Sequence, residues 1–343
     1  MSRQIFDTVD LHTAGEPVRI VTGGYPELAG RTILDKRRDA RDRFDRIRTA
    51  LMLEPRGHAG MYGVIPMAPC HPDADLSVLF THNEGYSTMC GHATIAIGRW
   101  AVDSGRVAAD NGSARFRLET PCGIVRVSVE PAEGDAPLVT FESVRAFASH
   151  LDLAVEVPGH GRVTLDIAFG GAYYAILPSS RLGLPLATTP VDTLVAAGVA
   201  ITDAVRAAVE ITHPDEPDLG FLYGTILTDD AAMDAQSDNL CIFAEGQIDR
   251  SPTGSGVTAR MALDYAKGSI GPGRARAFRG ISGQAFRGEL GEADGSGLDA
   301  SVTVRVSGRA HYAGEARFIV EAADPLGFGF TLPRRFADLG QSR

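Results

Sequence analysis

The sequence is poor in cysteine, and this shortage already limits the class of protein. Its four cysteines, Cys70, Cys90, Cys122 and Cys241, are scattered through 343 residues without a CxxC pair. A chain of this length buries enough apolar surface to fold without disulfide bonds, so we expect reduced thiols. Three of the four are expected to be small buried apolar residues. Only Cys90 lies in a sequence context that indicates more.

Basic residues and long apolar runs are also in short supply. The chain has 33 Lys and Arg against 43 Asp and Glu, for a formal net charge of −10, and no basic cluster is interleaved with aromatic residues. Nucleic acid is therefore not an expected partner. The first residues lack the apolar run of a signal peptide, and no stretch is apolar for the length that a bilayer requires. We expect a cytoplasmic protein without a membrane partner.

The signatures of common cofactors are missing as well. No Lys stands in a Schiff-base setting, and no glycine-rich nucleotide loop precedes a helix in a βαβ unit. Metal binding by Cys90, His92 and His82 would need further ligands at a recognisable spacing, and none is evident. We therefore expect chemistry that needs no metal and no organic cofactor.

What the chain has is enough length for two domains, and more strand patterns than helical ones. The main predicted elements are helices over 34–52 and 191–211, and strands over 114–147 and 162–177. Two more helices are predicted to begin at Cys90 and after Thr253. The mixture predicts an α/β (α+β) fold.

The helices at Cys90 and Thr253 begin and end with the same kinds of residue. Each begins with a nucleophile-type residue followed by Gly, and each reaches another Gly fifteen residues later, at Gly105 (105 − 90) and Gly268 (268 − 253). A basic strand-like stretch follows in both cases. This pattern indicates an internal duplication, with the chemistry between two halves. The alternative is coincidence between two buried helices.

Helix starts of this kind suit a small carboxylic acid as substrate. The first turn of a helix exposes backbone N–H groups and a partial positive charge, which bind a carboxylate without a cationic side chain. Gly91, Gly254 and Ser255 are small enough to let an anion approach the backbone. The same field favours a thiolate at Cys90, so we expect the pKa of this thiol to lie below its ordinary value of about 8.5.

His92 and Asp249 stand near the two helix starts and are candidates to hold the amino or imino nitrogen of a substrate. The alternative is that His92 only caps its helix and that Asp249 pairs with Arg250. A Cys/His hydrolase is disfavoured, because residues at i and i+2 on a helix do not face each other.

Several segments together resemble the proline racemase family over almost the whole chain. The two signatures are MCGH at 89–92, preceded by HNEGY at 82–86, and DRSPTGSG at 249–256; supporting matches are DLHTAGEP at 10–17, PRGH at 55–58, MYG at 61–63 and GGAYY at 170–174. The resemblance implies a fold like that of diaminopimelate epimerase, with two pseudo-symmetric lobes, each a mostly antiparallel sheet around a central helix. The active site would lie in the cleft between them.

The resemblance also implies lobe boundaries and substrate contacts. The N-terminal lobe would span 1–135, completed by 322–343, and the C-terminal lobe 136–321. Substrate would meet the backbone of Gly91 and His92 on one side and of Gly254 and Ser255 on the other, with Asp249 at the ring nitrogen. A homodimer is a further implication.

The departure from the racemase pattern is Thr253, where racemases and 2-epimerases of the family carry a second Cys. A threonine hydroxyl is too weak an acid to exchange the α-proton at neutral pH without an adjacent base, so two-base racemisation is disfavoured. The Cys90/Thr253 pair resembles that of family members that dehydrate trans-3-hydroxy-L-proline. The alternatives are a 4-hydroxyproline 2-epimerase or proline racemase with one thiol base, and a non-catalytic imino-acid-binding protein.

Overall fold

The structure is a computed structural model that describes residues 3–332. Its helices are Ile33–Met52 (α1), Gly91–Asp103 (α2), Val191–Ala208 (α3) and Gly254–Ala266 (α4). Its strands are Arg3–Thr13 (β1), Glu16–Gly23 (β2), Tyr62–Met67 (β3), Leu76–His82 (β4), Gly85–Ser87 (β5), Ala114–Thr120 (β6), Gly123–Ala132 (β7), Asp135–Glu142 (β8), Phe147–Val157 (β9), Gly161–Phe169 (β10), Tyr173–Pro178 (β11), Leu222–Thr228 (β12), Ser237–Phe243 (β13), Gln247–Ile248 (β14), Ala275–Arg279 (β15), Ala285–Asp294 (β16), Ser301–Gly308 (β17) and Ala310–Glu321 (β18). The α/β character predicted from the sequence is confirmed.

The strands form two sets that pair in the same order. In the first set β1 is antiparallel to β2, β2 parallel to β3, β3 antiparallel to β4, and β4 antiparallel to β5 but parallel to β6, after which β6, β7 and β8 are antiparallel. The second set repeats this order from β10 to β17. β8 pairs with β17 and so joins the two sets. The predicted internal duplication is therefore confirmed at the level of strand order.

The helices occupy matching places in the two sets. α2 and α4 each follow the short fifth strand of a set and are buried over most of their length, because their side chains are small or apolar on nearly every side. α1 and α3 are amphipathic and cover their sets from outside. The capping box between Thr32 and Asp35 fixes the start of α1. No helix within residues 3–332 has the length and apolar composition that crossing a bilayer would demand.

Two features of the fold differ from the sequence-based picture. β9 was not predicted, since its alternation is interrupted by charged residues and by Asp152, whose φ of 51° marks an irregularity in the strand. β18 falls within 136–321, yet it pairs with β1 along its whole length, in the position that β9 takes beside β10. Phe330 also bridges to Glu54 of the first half. Residues 333–343 lie outside the described part of the chain.

Candidate active site

All seven residues that the sequence singled out line one small buried chamber between the two strand sets. Its lining consists of Tyr62, Met89, Cys90, Gly91, His92, Tyr174, Tyr223, Cys241, Phe243, Asp249, Thr253, Gly254 and Ser255. α2 and α4 enter it with their N-termini, so the first backbone N–H groups of both helices surround the same space. This arrangement can hold one carboxylate between two positive helix ends.

Cys90 caps α2 and contacts His92. As the N-cap it has an extended backbone, with φ −147° and ψ 111°, and its Sγ accepts a hydrogen bond from Ala93 N–H at 3.4 Å. Its Sγ also lies 3.1 Å from His92 Nδ1. The expectation that positions 90 and 92 cannot face each other is therefore wrong, because the i, i+2 rule applies within a helix and Cys90 stands just before one.

The expected lowering of the Cys90 pKa is also wrong for the protein without substrate. Burial raises the pKa of this thiol well above its ordinary value, and the negative charges of Asp249 and Glu16 raise it further. The Ala93 N–H at the helix start opposes this rise but does not overcome it. Loss of solvation is the larger effect, so Cys90 is a thiol at neutral pH until another charge enters the chamber.

His92 is a neutral ring at neutral pH. Burial lowers its pKa to about 4, although Asp249 acts in the opposite direction, with its Oδ2 3.9 Å from Nδ1. The backbone of His92 is fixed through its carbonyl, which accepts a hydrogen bond from Thr13 Oγ at 2.8 Å. A neutral imidazole keeps one nitrogen as an acceptor, so His92 can take a hydrogen bond from the Cys90 thiol.

Asp249 is buried, and it does not pair with Arg250. Its Oδ1 accepts the backbone N–H of Ser251 at 2.8 Å. Arg250 instead donates through its backbone N–H and its guanidinium to Glu16 Oε2, at 2.7 and 3.2 Å. The alternative of an Asp249–Arg250 pair is thus excluded, and Asp249 is left beside the chamber with its charge facing His92 and Cys90.

Thr253 begins α4 in a strained conformation. Its φ of 63° lies in the left-handed region that β-branched residues rarely adopt, and such strain is typical of functional positions. The residue is 4% exposed, and its Oγ1 has no partner at hydrogen-bond geometry among the described residues. Next to it lies Cys241, whose pKa is raised by burial and by Asp249 and lowered by the Thr253 side chain.

Several residues that line the chamber were not predicted from the sequence. Tyr62 and Tyr174 lie in segments that matched the family, but nothing in those segments indicated a role in the site. Tyr174 holds Ser255 through a hydrogen bond of 2.7 Å between their hydroxyl oxygens. Cys241 and Tyr223 come from β13 and β12, and no local signal marks them, because only the pairing of the second strand set brings them to the chamber.

The chamber is far smaller than a neighbouring open groove. The groove, of about 1700 Å³, runs between α1 and α3 and includes His82 and Tyr223 in its wall, whereas the chamber holds about 10 Å³. The converging helix starts and the Cys90 thiol line the chamber and not the groove. Tyr223 belongs to both, so it separates the chamber from the groove. In residues 3–332 no three His, Cys, Asp or Glu side chains are grouped to hold a metal ion.

A thiol and two facing helix starts in a closed chamber define a class of enzyme that performs acid–base chemistry on a small carboxylic acid. The chain belongs to the proline racemase family, whose sequence model matches residues 8–331. The resemblance seen in the sequence is confirmed.

Relatives and solved structures agree with this assignment. The chain is 49% identical over 336 residues to trans-3-hydroxy-L-proline dehydratase of Homo sapiens, covering 96% of this chain and 95% of the relative. It is 41% identical over 326 residues to 3-hydroxyproline 2-epimerase of Burkholderia multivorans, covering 94% and 97%. A hydroxyproline epimerase from Agrobacterium vitis, solved with bound trans-4-hydroxy-L-proline, superposes with a TM-score of 0.88 at 25% identity and covers 96% of each chain.

Proposed function

We propose that this protein is a trans-3-hydroxy-L-proline dehydratase, a hydro-lyase that removes water from trans-3-hydroxy-L-proline to give 1-pyrroline-2-carboxylate. The observation that carries this proposal is the pairing of a thiol, Cys90, at one helix start with a hydroxyl, Thr253, at the other. Relatives at 48 to 50% identity over 94 to 96% of this chain carry the dehydratase name, among them those of Xenopus tropicalis and Mus musculus.

In this proposal the two helix starts hold the substrate carboxylate. The backbone N–H groups of Gly91 and His92 would donate from α2, and those of Gly254 and Ser255 from α4. These donors also stabilise the charge that develops on the carboxylate when the α-proton leaves, which is the main electrostatic need of a reaction without an electron-sink cofactor. Asp249 would bind the ring nitrogen through charge and hydrogen bonding.

Substrate binding brings a positive charge that favours ionisation of Cys90. The pKa of Cys90 is raised in part by the charge of Asp249. The cationic ring nitrogen of the substrate, placed against Asp249, cancels that contribution. The Cys90 thiol proton is released as the substrate binds, and His92, in the neutral form that carries its proton on Nδ1, donates a hydrogen bond to the thiolate. Cys90 is therefore activated only when the substrate is in place.

The stereochemistry of the substrate requires only one base. In trans-3-hydroxy-L-proline the hydroxyl lies opposite the carboxylate across the ring, so the α-hydrogen and the hydroxyl share one ring face. Cys90 takes the α-proton from that face, and the C3–O bond breaks to release water and an enamine, which tautomerises to the product. Thr253 faces the other side and does not exchange a proton there, since its hydroxyl is too weak an acid.

The rival function is a 2-epimerase or racemase with one thiol base, favoured by the 3-hydroxyproline 2-epimerase name of one relative. Incubation with trans-3-hydroxy-L-proline, trans-4-hydroxy-L-proline and L-proline in deuterated water separates the two. Formation of the cyclic imine from the 3-hydroxy substrate alone supports the dehydratase. An inverted, α-deuterated imino acid without imine would overturn it in favour of the rival.

A protein that binds imino acids without turning them over is the second alternative. Cys90→Ser tests it. In an enzyme, loss of the thiol abolishes dehydration, whereas a binding protein has no dehydration rate for the substitution to change. The expected result is loss of imine formation with ligand affinity retained. Equal absence of turnover in the unmodified protein would contradict catalysis.

We further propose that the two strand sets are separate lobes, with β18 and residues near Phe330 completing the first. The closed chamber would then open by movement of the lobes, as its volume of about 10 Å³ is too small for a prolyl ring.

A cytoplasmic location fits the four cysteines, all of which are free. A homodimer is proposed from family resemblance, and light scattering of the purified protein tests it.

A further inference from the structure

The phenol of Tyr62 is an unused polar group in the chamber. Tyr62 begins β3, is 2% exposed, and lines the chamber together with Cys90. Its hydroxyl oxygen is buried and has no partner at hydrogen-bond geometry among residues 3–332, although the side chains of Ser87 and Cys90 lie near it. A buried hydroxyl without a partner is unfavourable, so a ligand that pairs with it gains that interaction.

The ring of Tyr62 is held in place by two histidines. It meets the His92 ring edge to face, with the ring centres 4.7 Å apart, and it stacks near His82 at 6.0 Å. Both imidazoles are neutral, since burial lowers their pKa to about 4 and about 3. The phenol is therefore fixed at the chamber wall by uncharged neighbours.

The hydroxyl of Tyr62 lies on the Cys90 side of the chamber. The Cys90 sulfur and the side chains of Ser87 and Tyr223 all influence its ionisation, so they are close to it. The effect is mutual, because the Tyr62 hydroxyl lowers the pKa of the Cys90 thiol. Burial raises the pKa of Tyr62 itself, and the phenol keeps its proton at neutral pH.

Dehydration needs a proton donor at that place. Hydroxide is a poor leaving group, and it departs from the same ring face as the α-proton. Among the side chains of the lining, Thr253 stands at the other helix start, Tyr174 is bound to Ser255, and His92 is engaged with the sulfur. Tyr62 and Tyr223 are the remaining phenols of the lining, and Tyr62 is the one whose ring contacts His92, the neighbour of the Cys90 sulfur, and whose buried hydroxyl lacks a partner at hydrogen-bond geometry.

We propose, building on the dehydratase function above, that Tyr62 is the catalytic acid that protonates the departing C3 hydroxyl and is itself reprotonated by Cys90. The Cα–H bond breaks and its proton goes to the Cys90 thiolate. The C3–O bond then breaks with its electron pair on oxygen, while the Tyr62 O–H proton passes to that oxygen and forms water. Finally the Cys90 thiol returns its proton to the tyrosinate. Both residues are thus reset, and the substrate has lost one molecule of water.

The experiment compares two leaving groups. Purified wild-type protein, Tyr62→Phe and the control Tyr173→Phe are assayed with trans-3-hydroxy-L-proline and with trans-3-fluoro-L-proline, measuring imine and fluoride. Fluoride leaves without a proton, so it needs Cys90 but not Tyr62. Tyr173 is a matched control because its hydroxyl bonds to the Thr212 carbonyl, away from the chamber. Circular dichroism and thermal unfolding report on folding.

The expected result is that Tyr62→Phe lowers dehydration by about 100-fold or more, in the range of general acid catalysis, while fluoride release falls far less. The ratio of fluoride release to dehydration should rise at least about tenfold over wild type, and Tyr173→Phe should leave it unchanged. A smaller change in this ratio, including absence of fluoride release from every protein, overturns the role of Tyr62. Failure of wild type to dehydrate trans-3-hydroxy-L-proline would instead contradict the proposed function itself.

Discussion

Gly91 and Gly254 meet backbone to backbone where α2 and α4 begin. A Cβ on Gly91 would lie 2.4 Å from the Gly254 Cα, and a Cβ on Gly254 would lie 2.7 Å from the Gly91 Cα. Both distances are shorter than any contact that a side chain tolerates. The absence of side chains at these two positions lets the helix ends approach closely enough to share one anion.

Gly91→Ala should therefore damage both stability and activity. The added methyl group meets backbone, which cannot move aside as a flexible side chain would, so the two helix starts must separate. We expect a loss of about 1–3 kcal/mol in the free energy of unfolding, measured with denaturant, and a weaker apparent affinity for substrate. Gly271→Ala is the matched control, because a Cβ there meets nothing within 4 Å. Equal behaviour of the two variants would contradict the close approach.

Thr253→Cys should add epimerisation of hydroxyproline to the enzyme. The new thiol would face the ring side opposite Cys90 and could exchange a proton there, which the hydroxyl cannot. Inversion is measured by optical rotation, and α-deuteration by mass change in deuterated water. Since Cys241 lies beside position 253, a double variant with Cys241→Ala guards against a disulfide. A folded double variant without a trace of inversion would contradict the argument from two ring faces.

The pH dependence of the reaction should report the raised pKa of Cys90. The thiolate is the active form, so activity is lost as the pH falls below that pKa. We expect kcat/KM to rise by about tenfold per pH unit between pH 7 and 9, because this quantity follows the free enzyme. The rise in kcat should occur at lower pH, since bound substrate neutralises Asp249.

Asp249→Asn provides the direct check on the electrostatic cause. Removing this charge takes away one of the influences that raise the pKa of Cys90, so the thiolate absorbance in the ultraviolet should appear at lower pH than in wild type. Cys90→Ser identifies the signal that belongs to this thiol. Full thiolate absorbance in unliganded wild type at pH 7 would disprove the raised pKa.

The two helix starts could be predicted from the sequence because their signals are local. A nucleophile-type residue, a following Gly and a Gly fifteen residues on are sufficient to identify both helix starts, and Asp249 stands only four residues before Thr253. These positions are set by helix geometry alone. The α2 and α4 ends of the site could thus be predicted without any knowledge of strand order.

The remainder of the site depends on features that local patterns do not carry. Tyr62, Tyr223 and Cys241 reach the chamber through strand pairing across long separations, and periodicity says nothing about which strands become neighbours. The contact between Cys90 and His92 depends on one extended residue before the helix. The pKa of Cys90 depends on burial, which a helix start alone cannot reveal.

Glu16 is a second buried carboxyl near the site. Its protonation should affect how the free energy of unfolding depends on pH. Its side chain is fully buried, its Oε1 has no partner in the described part of the chain, and burial together with Asp249 raises its pKa well above 4.5 in spite of Arg250. A group whose pKa is raised on folding adds stability below its unfolded pKa and loses that contribution as the pH rises above it.

Glu16→Gln should therefore fold well, and its free energy of unfolding should depend less on pH. The amide keeps an oxygen acceptor for the Arg250 backbone N–H and guanidinium, and it cannot ionise in the unfolded chain. We expect the free energy of unfolding of wild type, measured with denaturant between about pH 4 and 7, to decline relative to that of Glu16→Gln as the pH rises. Glu16→Ala should be less stable than both at every pH, because it leaves buried donors unpaired. A wild type that gains stability over Glu16→Gln with rising pH would show that Glu16 is ionised and that its pair with Arg250 outweighs the cost of burial.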